Sequence, residues 1–528
     1  QNRIRQIMVD EFQDTNELQR QVVYLLAGGD AGRLFGNKLF VVGDAKQSIY
    51  RFRGADVAVF EQVKEDITAS GGAIIELDMN FRSAGALLDV YNECFATMMG
   101  TPHDVIPFSP LAAHRQEGEV ARAEFMLIGK TGLAEGETAR RAEADAIARR
   151  IKRMVDGQEG LVGHGEAVQP VCYGDIAVLF RTVKDMEVYT AALQAASIPF
   201  CVVGGQGFYQ CQEIRDVINL LKVVDNRFRE AALAGVLRSP LFLLADGLLV
   251  RLKQAGGTLW QGLELAASLP GLSGEERQVT ERAWRILDRL RSLRGMTGLG
   301  NLIDDALAET HYAEFVLTQF MGRQKYANLM KFIAVARQYE AKGPVALGDF
   351  LRYVDRLIAG DVKEGEAQIE TEDSDAVRLM TIHKSKGLEF PVVFVPDLQR
   401  KFKDDNIAAL FNPTLGLGLK MPGAGGELTA TSVYETVADQ EKKLAILELK
   451  RVLYVAMTRA RDYLILSGVG DKLPAEKDYT ELNNWLGWLG KVYGLTGFDA
   501  LPDRLVVNKA PVLVRDYLEQ LPAAACTV

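Results

Sequence analysis

The sequence lacks the features that mark exported, membrane-spanning or metal-cluster proteins. Its cysteines are scattered without a CxxC pair, which favours reduced thiols over a disulfide, zinc or iron–sulfur site. These cysteines are Cys94, Cys172, Cys201, Cys211 and Cys526. No apolar run approaches the roughly 18–20 residues that span a bilayer, and the first residues lack the layout of a signal peptide. We therefore expect no membrane association and a cytoplasmic location.

Excess positive charge is also missing from the sequence. Lys and Arg number 61 against 70 Asp and Glu, which gives a formal net charge of −9. Nucleic-acid-binding domains are commonly basic, so this balance argues mildly against DNA as a partner. Net charge governs long-range steering, however, whereas binding depends on the local field in a groove. The charge balance therefore leaves DNA binding open.

The hydrophobic periodicity predicts an α/β protein with a helical insertion. At 528 residues the chain exceeds the usual limit of a single core, so we expect several domains. Short apolar strands, residues 72–78 among them, alternate with amphipathic helices before residue 227 and again over 376–466. This alternation predicts parallel sheets covered by helices. Residues 227–360 show helical spacing alone, and the acid-rich residues 361–375 predict a solvated linker.

The first chemically suggestive segment is MVDEFQDTN, residues 8–16. A hydrophobic strand delivers Asp10 and Glu11 at its carboxyl end, which is where α/β sheets bind ligands. Asp10 suits a Mg²⁺ ion held over nucleotide phosphates, and Glu11 suits the orientation or deprotonation of an attacking water. The alternative is an ordinary acidic turn after a strand, which the following QDTN disfavours.

The second segment is VVGDAKQSIYRFRGAD, residues 41–56. A strand again ends in Gly-Asp, and Gln47 follows at a position suited to sensing a γ-phosphate. Tyr50 and Phe52 alternate with Arg51 and Arg53, and we expect both rings on one side of an extended stretch. Rings that stack on bases beside cations that neutralise phosphates are typical of single-stranded nucleic-acid sites. Aromatic clusters are usually core, but alternation with arginine is poor core chemistry.

Six segments in order resemble the signature motifs of UvrD/Rep-type DNA helicases. The amino-acid sequences of the second and fifth segments are most similar to those of the AddA/RecB helicase–nuclease subunits. The six segments are DEFQDTN (10–16), GDAKQSIYRFRGAD (43–56), LDMNFRS (77–83), FYQCQEIRDVINLLKVVDN (208–226), LMTIHKSKGLEFPVVFV (379–395) and ELKRVLYVAMTRARDYLIL (448–466).

The resemblance implies a fold with two motor domains. We expect an α/β protein with a partial first RecA-like domain and a second RecA-like parallel-sheet domain that carries an all-helical insert. The expected boundaries are residues 1–78 for the remnant of the first domain, 79–226 and 371–470 for the two parts of the second, 227–370 for the helical insert and 471–528 for a C-terminal extension.

The resemblance also implies roles at the nucleotide. Arg82 in NFRS and Arg459 in MTRAR are similar to the family's arginine fingers, which stabilise the charge of a phosphoryl-transfer transition state and can raise its rate by about 10³–10⁵. Gly387 and Glu389 in KGLEF correspond to positions beside the nucleotide. Since both arginines would lie on the second motor domain, ATP would close the two domains. The implied cofactors are ATP and Mg²⁺.

At the DNA strand, the resemblance implies contacts from Tyr50, Phe52 and Arg53, together with Thr381 and His383. The single-residue alternatives are structural. The structural alternative for Arg82 is that it caps a helix. The structural alternative for His383 is that it is a core histidine. Glu448 and Arg451 are spaced as an i,i+3 pair on one helix, which favours a structural ion pair.

The sequence departs from the family at one point. It contains no GxxxxGK[ST] loop, whose backbone amides and lysine hold nucleotide phosphates. Only nine residues precede Asp10, so we expect an N-terminally truncated chain that leaves strand edges and apolar helix faces uncovered. The residues after 470 offer no cluster of nuclease carboxylates.

Two functions fit the sequence. The first is part of an ATP-dependent 3′-to-5′ DNA helicase of double-strand break repair and recombination, itself inactive in ATP hydrolysis. Its partners would be single-stranded DNA, a duplex junction and a second subunit of a helicase–nuclease complex. The alternative is a loop-less module that binds DNA or a subunit without hydrolysing ATP. Intact residues at all five catalytic positions favour the first function.

Overall fold

The computed structural model forms two compact units. One comprises residues 1–198 with 379–528, and the other comprises residues 199–378. The residues described are 4–30, 33–34, 38–99, 106, 108–115, 122–129, 137–164, 167–203, 208–343, 345–359, 375–402, 407–423, 427–470, 477, 479, 481–495, 504–507 and 510–516.

The described strands are β1 (Ile7–Val9), β2 (Leu39–Val41), β3 (Met79–Asn80), β4 (Ala112–Ala113), β5 (Ala123–Gly129), β6 (Leu161–His164), β7 (Ala167–Pro170), β8 (Ile176–Phe180), β9 (Phe200–Val202), β10 (Val377–Thr381), β11 (Phe390–Val395), β12 (Ala409–Asn412), β13 (Gly416–Pro422), β14 (Leu428–Ala430), β15 (Ala460–Gly470), β16 (Arg504–Val507) and β17 (Ala510–Asp516).

The described helices are α1 (Glu17–Ala27), α2 (Val57–Ala69), α3 (Gly85–Met99), α4 (Glu137–Val155), α5 (Met186–Ala195), α6 (Gln212–Asp225), α7 (Glu230–Arg238), α8 (Asp246–Gly256), α9 (Leu259–Leu265), α10 (Gly274–Leu293), α11 (Leu299–Thr310), α12 (Tyr312–Leu317), α13 (Gly322–Glu340), α14 (Leu347–Ala359), α15 (Ile382–Ser385), α16 (Ser432–Met457) and α17 (Trp485–Val492).

The first unit contains a parallel sheet with the strand order β16-β17-β5-β15-β11-β8-β10. Parallel pairings join β17 to β5, β5 to β15, β15 to β11 and β11 to β8, and β16 pairs antiparallel with β17. Strands β5 and β8 are buried along their whole length, as expected for parallel strands with helices on both faces. The predicted α/β fold class is confirmed.

A second, smaller sheet in the same unit carries the first two sequence motifs. Strands β1 and β2 pair in parallel, so the chain leaves both of them at the same edge. Phe12, Tyr24 and Phe60 form a small core beneath this pair. Other apolar side chains of these elements are exposed. They are Met8 and Phe40 on the strands and Leu18, Val22, Leu25 and Leu26 on α1.

The predicted strand at residues 72–78 is wrong. These residues carry no regular secondary structure, and β3 begins only at Met79. The apolar residues Ile74, Ile75 and Leu77 are exposed rather than buried. A parallel strand gains its stability from neighbours on both sides and from helices on both faces, and exposure deprives this segment of that support.

A three-stranded antiparallel sheet of β12, β13 and β14 was not predicted from the sequence. It packs against α16, and the contact is close enough to require glycine. A Cβ atom at Gly418 would lie 2.7 Å from the Tyr434 Cα atom. The sheet therefore depends on the long helix for its position.

The second unit is mainly helical. Its core comes from helices α6 to α14, with Phe208, Leu220 and Phe332 among the buried residues. The unit begins at residue 199, whereas the predicted helical insert begins at 227, so helix α6 lies in this unit. The acidic linker falls largely outside the described residues, and the domain boundaries inferred from the resemblance stay a prediction. No described helix has the length and apolarity that crossing a membrane requires.

Candidate functional site

The two candidate catalytic carboxylates follow β1 directly and face solvent. Asp10 and Glu11 are both exposed, and the Glu11 backbone N–H donates to Asp10 Oδ1 at 2.8 Å. Glu11 adopts a left-handed backbone conformation with φ of 53°, which is uncommon for a residue other than glycine. Such strained residues cluster at functional sites, and here the turn directs two adjacent carboxylates to one edge of the sheet.

Gln13 links these carboxylates to the second motif. Its side chain is 1% exposed, and its Nε2 donates to Glu11 Oε2 at 2.6 Å. Its Oε1 accepts a hydrogen bond from the Asp44 backbone N–H at 3.1 Å. A Cβ atom at Gly43 would lie 2.5 Å from this oxygen, so glycine is needed for the approach. The sequence prediction missed Gln13, although it lies inside DEFQDTN.

A buried lysine from the fifth motif also meets the acidic turn. Lys386 Nζ lies 3.1 Å from Glu11 Oε2, forms an ion pair with Asp14 and donates to the Gln47 carbonyl at 2.9 Å. Burial raises the pKa of the Asp14 carboxyl despite the lysine. Lys386 was also missed, although the HKSKGLEF segment contains it. The structure thus places a cation beside the carboxylate predicted to activate water.

Gln47 joins the second motif to Arg459 in the last. Its Nε2 donates to Asp44 Oδ2 at 3.1 Å, and its Oε1 accepts from Arg459 Nη2 at 3.3 Å. Arg459 is buried at the junction between α16 and β15, and it also donates to the carbonyls of Leu388 and Val455. The predicted γ-phosphate sensor and arginine finger are therefore in direct contact.

Arg82 lies close enough to Arg459 to affect its ionisation. Burial and the nearby positive charge of Arg82 lower the pKa of Arg459 to about 10. Arg82 Nε pairs with Glu389 Oε2 at 2.5 Å. The backbone N–H groups of Arg82 and Ser83 both donate to Asn80 Oδ1, at 2.9 and 2.8 Å. Arg82, Glu389, Gln47 and Arg459 therefore form one group.

The predicted DNA contacts form a second group, the aromatic–basic cluster of Tyr50, Phe52, Arg53 and His383. The ring of His383 lies 5.2 Å from Phe52 and 5.9 Å from Tyr50. The Arg53 guanidinium lies 5.0 Å from the Tyr50 ring and 5.5 Å from the Phe52 ring. Tyr50 donates to the His383 carbonyl at 3.1 Å. Burial lowers the pKa of His383, which favours its neutral form.

The backbone of this cluster differs from the prediction. Residues 51–53 form a 3-10 turn rather than an extended stretch. The rings of Tyr50 and Phe52 still approach each other, at 5.9 Å between centroids. Phe52 remains 65% exposed, so its face is available to a ligand.

Helix α16 holds this turn through side chains that the sequence assigned to an internal pair. Glu448 Oε1 accepts from the Arg51 backbone N–H at 2.9 Å, and Arg451 Nε donates to the Ser48 carbonyl at 2.7 Å. Arg51 also forms an ion pair with Glu441. The i,i+3 spacing of Glu448 and Arg451 predicted a structural pair within the helix. Spacing gives no information about contacts with a segment that is distant in sequence, so the contacts with residues 48 and 51 were not predicted. The helix is therefore the support of the aromatic–basic cluster.

Thr381 and Gly387 flank the short helix α15. Thr381 is its N-terminal cap residue, and its side chain makes no capping hydrogen bond. Gly387 has φ of 80°, and a Cβ atom there would meet no other atom within 4 Å. The backbone conformation, rather than crowding, explains glycine at this position. Thr381 lies near His383 in the chain, and Gly387 lies near Glu389.

A metal cage made by protein side chains is absent from the described part of the chain, where no group of three or more His, Cys, Asp or Glu side chains could hold an ion. Asp10 is the candidate metal ligand from the sequence. Magnesium commonly binds through one or two carboxylates together with substrate phosphates and water. One exposed carboxylate fits that mode.

Comparison with known proteins places the chain among helicases. The UvrD/REP helicase N-terminal domain matches residues 1–68, and the UvrD-like helicase C-terminal domain matches residues 75–264 and 281–470. An ATP-dependent helicase/nuclease subunit of Geobacillus kaustophilus (strain HTA426) is 34% identical over 92% of this chain and 41% of its own length. The protein of the same name from Bacillus cereus (strain B4264) is 34% identical over 92% and 40%. The chain thus spans about two fifths of these relatives.

Proposed function

Because the chain belongs to the family of UvrD-like helicases, we propose that it is part of an ATP-dependent DNA helicase that moves 3′ to 5′ along one strand. Its substrates are single-stranded DNA and a duplex junction, and its process is double-strand break repair and recombination. The word "subunit" in the relatives' names supports a partner protein in a complex. One observation carries the proposal: the segment of residues 44–53 contributes to both groups. Its Gln47 accepts a hydrogen bond from Arg459, and the ring of its Phe52 contacts His383 in the aromatic–basic cluster.

The residues around Gln47 fit a magnesium–nucleotide complex. Arg82 and Arg459 bring two positive charges close together, and this proximity disfavours the charged form of Arg459. An anionic phosphate between them would relieve that repulsion. Asp10 offers an exposed carboxylate for the metal. These positive and negative groups support a role in phosphoryl transfer.

The chain's own residues would divide the chemistry as follows. Magnesium ATP supplies the phosphoanhydride bond that is hydrolysed. Glu11 orients the attacking water, and Gln13 fixes the Glu11 carboxylate by donating to it. Gln47 reports the state of the phosphate, and Arg82 and Arg459 neutralise the charge that develops on it. Such preorganised charges lower the barrier without reorganisation at the moment of reaction.

The segment between Gln47 and Phe52 would couple the nucleotide to the DNA strand. Only two residues separate Gln47 from Tyr50, and Tyr50 is tied to His383 by a hydrogen bond. A change in the Gln47 contacts would therefore shift the rings on which bases stack. This coupling converts hydrolysis into movement along the strand.

The DNA-binding side of the proposal is tested with the chain itself. Replacing both Tyr50 and Phe52 by alanine removes the stacking surface, and one stacked base is worth roughly 1–3 kcal/mol. We expect at least about a fivefold loss of affinity for fluorescent oligothymidylate, measured by anisotropy at fixed salt. The control is Phe411→Ala, because Phe411 is 68% exposed but lies on the sheet of β12 to β14. Unchanged affinity in the double variant would contradict the proposal.

A DNA- or subunit-binding module without ATPase activity is the second candidate. The observation in its favour is that the sequence contains no GxxxxGK[ST] loop. Against it, a binding module has no need of Glu11, Gln47 and Arg459 in this arrangement. ATP turnover by a chimera with an added phosphate-binding loop separates the two candidates.

A further inference from the structure

The tripeptide Arg-Phe-Arg occurs twice in this sequence. The first copy is residues 51–53, which belong to the aromatic–basic cluster. The second copy is residues 227–229, in the helical unit, directly after the fourth of the six family segments. The two copies lie in different units and different local folds, so the comparison between them concerns side chains rather than backbone.

The second copy presents its phenylalanine to solvent on a rigid turn. The Asn226 side chain accepts from the Phe228 backbone N–H at 3.0 Å, and the Asn226 carbonyl accepts from the Arg229 N–H at 3.1 Å. Phe228 is 69% exposed. The turn therefore fixes an aromatic ring outside the core, where it contributes little to folding.

An arginine stacks on this exposed ring, as in the first copy. The Arg227 guanidinium lies 5.1 Å from the Phe228 ring centroid, against 5.5 Å between Arg53 and Phe52. Arg229 directly follows Phe228 in the chain. Its side chain is exposed and makes no capping hydrogen bond to α7. Both copies thus combine a ring with an open face and two flanking guanidinium groups.

Further arginines surround the turn, and most of them have a structural role. Arg291 donates to the Val223 and Val224 carbonyls at the end of α6, and Arg294 donates to the Asp225 carbonyl. Burial lowers the pKa of Arg291, and the neighbouring charges of Arg294 and Arg227 lower it further. Arg227, Arg291 and Arg294 therefore lie close enough together for their charges to interact.

The acidic neighbours of these arginines are Asp225, Glu264 and Asp288. Asp225 lies 3.4 Å from Arg294, and Glu264 lies 3.8 Å from Arg227. The second distance is long for a charge-assisted hydrogen bond, and all four side chains are at least one-quarter exposed. Exposed ion pairs of this kind contribute little, so an anionic ligand can replace Glu264 as the partner of Arg227.

We propose that Arg227, Phe228 and Arg229 form a second binding site for single-stranded nucleic acid, on the helical unit. The Phe228 ring stacks on a base, and the two arginines neutralise the adjoining phosphates. The inference rests on the proposed DNA-binding function, which it extends to a part of the chain outside the six family segments.

Photo-crosslinking locates the site directly. The 528-residue chain is irradiated with oligothymidylate that carries 5-iodouracil, and crosslinked peptides are identified by mass spectrometry. We expect one crosslinked peptide with Tyr50 or Phe52 and another with Phe228. Crosslinks at residues 50–52 without any at residues 226–229 would overturn the inference and leave the proposed function standing.

Variants then measure the contribution of the ring. We expect Phe228→Ala to weaken binding of the oligonucleotide by about fivefold or more, and Phe228→Trp to retain it, because stacking needs an aromatic face. Met296→Ala is the matched control, since Met296 is 83% exposed on the same unit. Equal losses in the Met296 and Phe228 alanine variants would contradict a specific site.

The outcomes also separate this inference from the proposed function. If Tyr50→Ala with Phe52→Ala weakens binding and Phe228→Ala does not, only the second site is wrong. If none of these changes weakens binding, both proposals fail. Replacing Arg227 and Arg229 together by alanine should reduce the slope of log affinity against log salt by roughly 1.4, because each phosphate contact contributes about 0.7 on single strands.

Discussion

At the scale of single residues, hydrogen bonds connect the acidic turn to Arg459. Glu11 is bonded to Gln13, Gln13 to the Asp44 backbone, Asp44 to Gln47, and Gln47 to Arg459. Gln13 is buried, and both polar atoms of its side-chain amide are hydrogen-bonded, Nε2 to Glu11 and Oε1 to the Asp44 N–H. A buried amide satisfied on both sides stabilises one arrangement of its partners and penalises others. The residue therefore sets the position of the Glu11 carboxylate as well as local stability.

Gln13→Ala should destabilise the chain. The change leaves the Asp44 N–H without its buried acceptor, and an unsatisfied buried donor costs about 1–3 kcal/mol. Urea denaturation followed by tryptophan fluorescence measures the free energy of unfolding. The control is Gln194→Ala, an exposed position on α5 of the same unit, where we expect a change within about 0.5 kcal/mol. Equal stabilities for the two variants would show that the Gln13 contacts do not form.

At the scale of secondary structure, helix α16 organises the functional side chains. Its Glu441, Glu448 and Arg451 hold residues 48–51, and Arg459 follows two residues after the helix ends at Met457. A helix is rigid over this length, because every interior backbone group is hydrogen-bonded within it. The turn proposed to bind DNA and the arginine proposed to act at the nucleotide are therefore attached to one rigid element.

The contact from Glu448 to the turn can be removed by one substitution. Burial raises the pKa of Glu448, so its acceptor oxygen matters more than its charge. We expect Glu448→Ala to weaken oligothymidylate binding and to increase hydrogen exchange at the Arg51 amide, whereas Glu448→Gln keeps the acceptor and both properties. Hydrogen exchange with mass spectrometry of peptides covering residues 48–53 measures the effect. Protection that survives in the alanine variant would contradict this support.

At the scale of the whole molecule, the residues that we propose for phosphoryl transfer lie in one compact unit. Asp10, Glu11, Gln47, Arg82 and Arg459 all lie in the first unit. The sequence has no GxxxxGK[ST] loop to hold the β- and γ-phosphates. Positioning supplies most of the catalysis in phosphoryl transfer. We therefore expect that a nucleotide bound by these residues alone is not positioned for hydrolysis.

The chain alone should therefore show negligible DNA-stimulated ATPase activity. A chimera that joins it to the residues preceding the matched region of the Geobacillus kaustophilus relative should recover activity, and Glu11→Gln should abolish it again. Phosphate release with and without oligothymidylate measures the rates. Robust magnesium-dependent turnover by the chain alone would contradict the first statement. A folded chimera that binds ATP without turnover would favour the binding module.

The sequence by itself determined the elements whose signals are local. The strands before Asp10 and Asp44 and the helices flanking them follow from periodicity, and the ordered segments indicated the family. Periodicity failed at residues 72–78, because an apolar run cannot tell whether neighbours will cover it. It also missed the sheet of β12 to β14, whose position depends on a close contact between Gly418 and helix α16.

Only the tertiary structure decided which side chains meet. Gln13, Lys386 and Glu448 contact residues 31, 372 and 397 positions away, namely Asp44, Asp14 and Arg51. Spacing along the chain carries no information about such contacts, because they depend on how sheets and helices pack. Glu448 and Arg451 show the difference most clearly. Their spacing predicted a pair within one helix, and folding also gives each a partner in the turn that carries the aromatic–basic cluster.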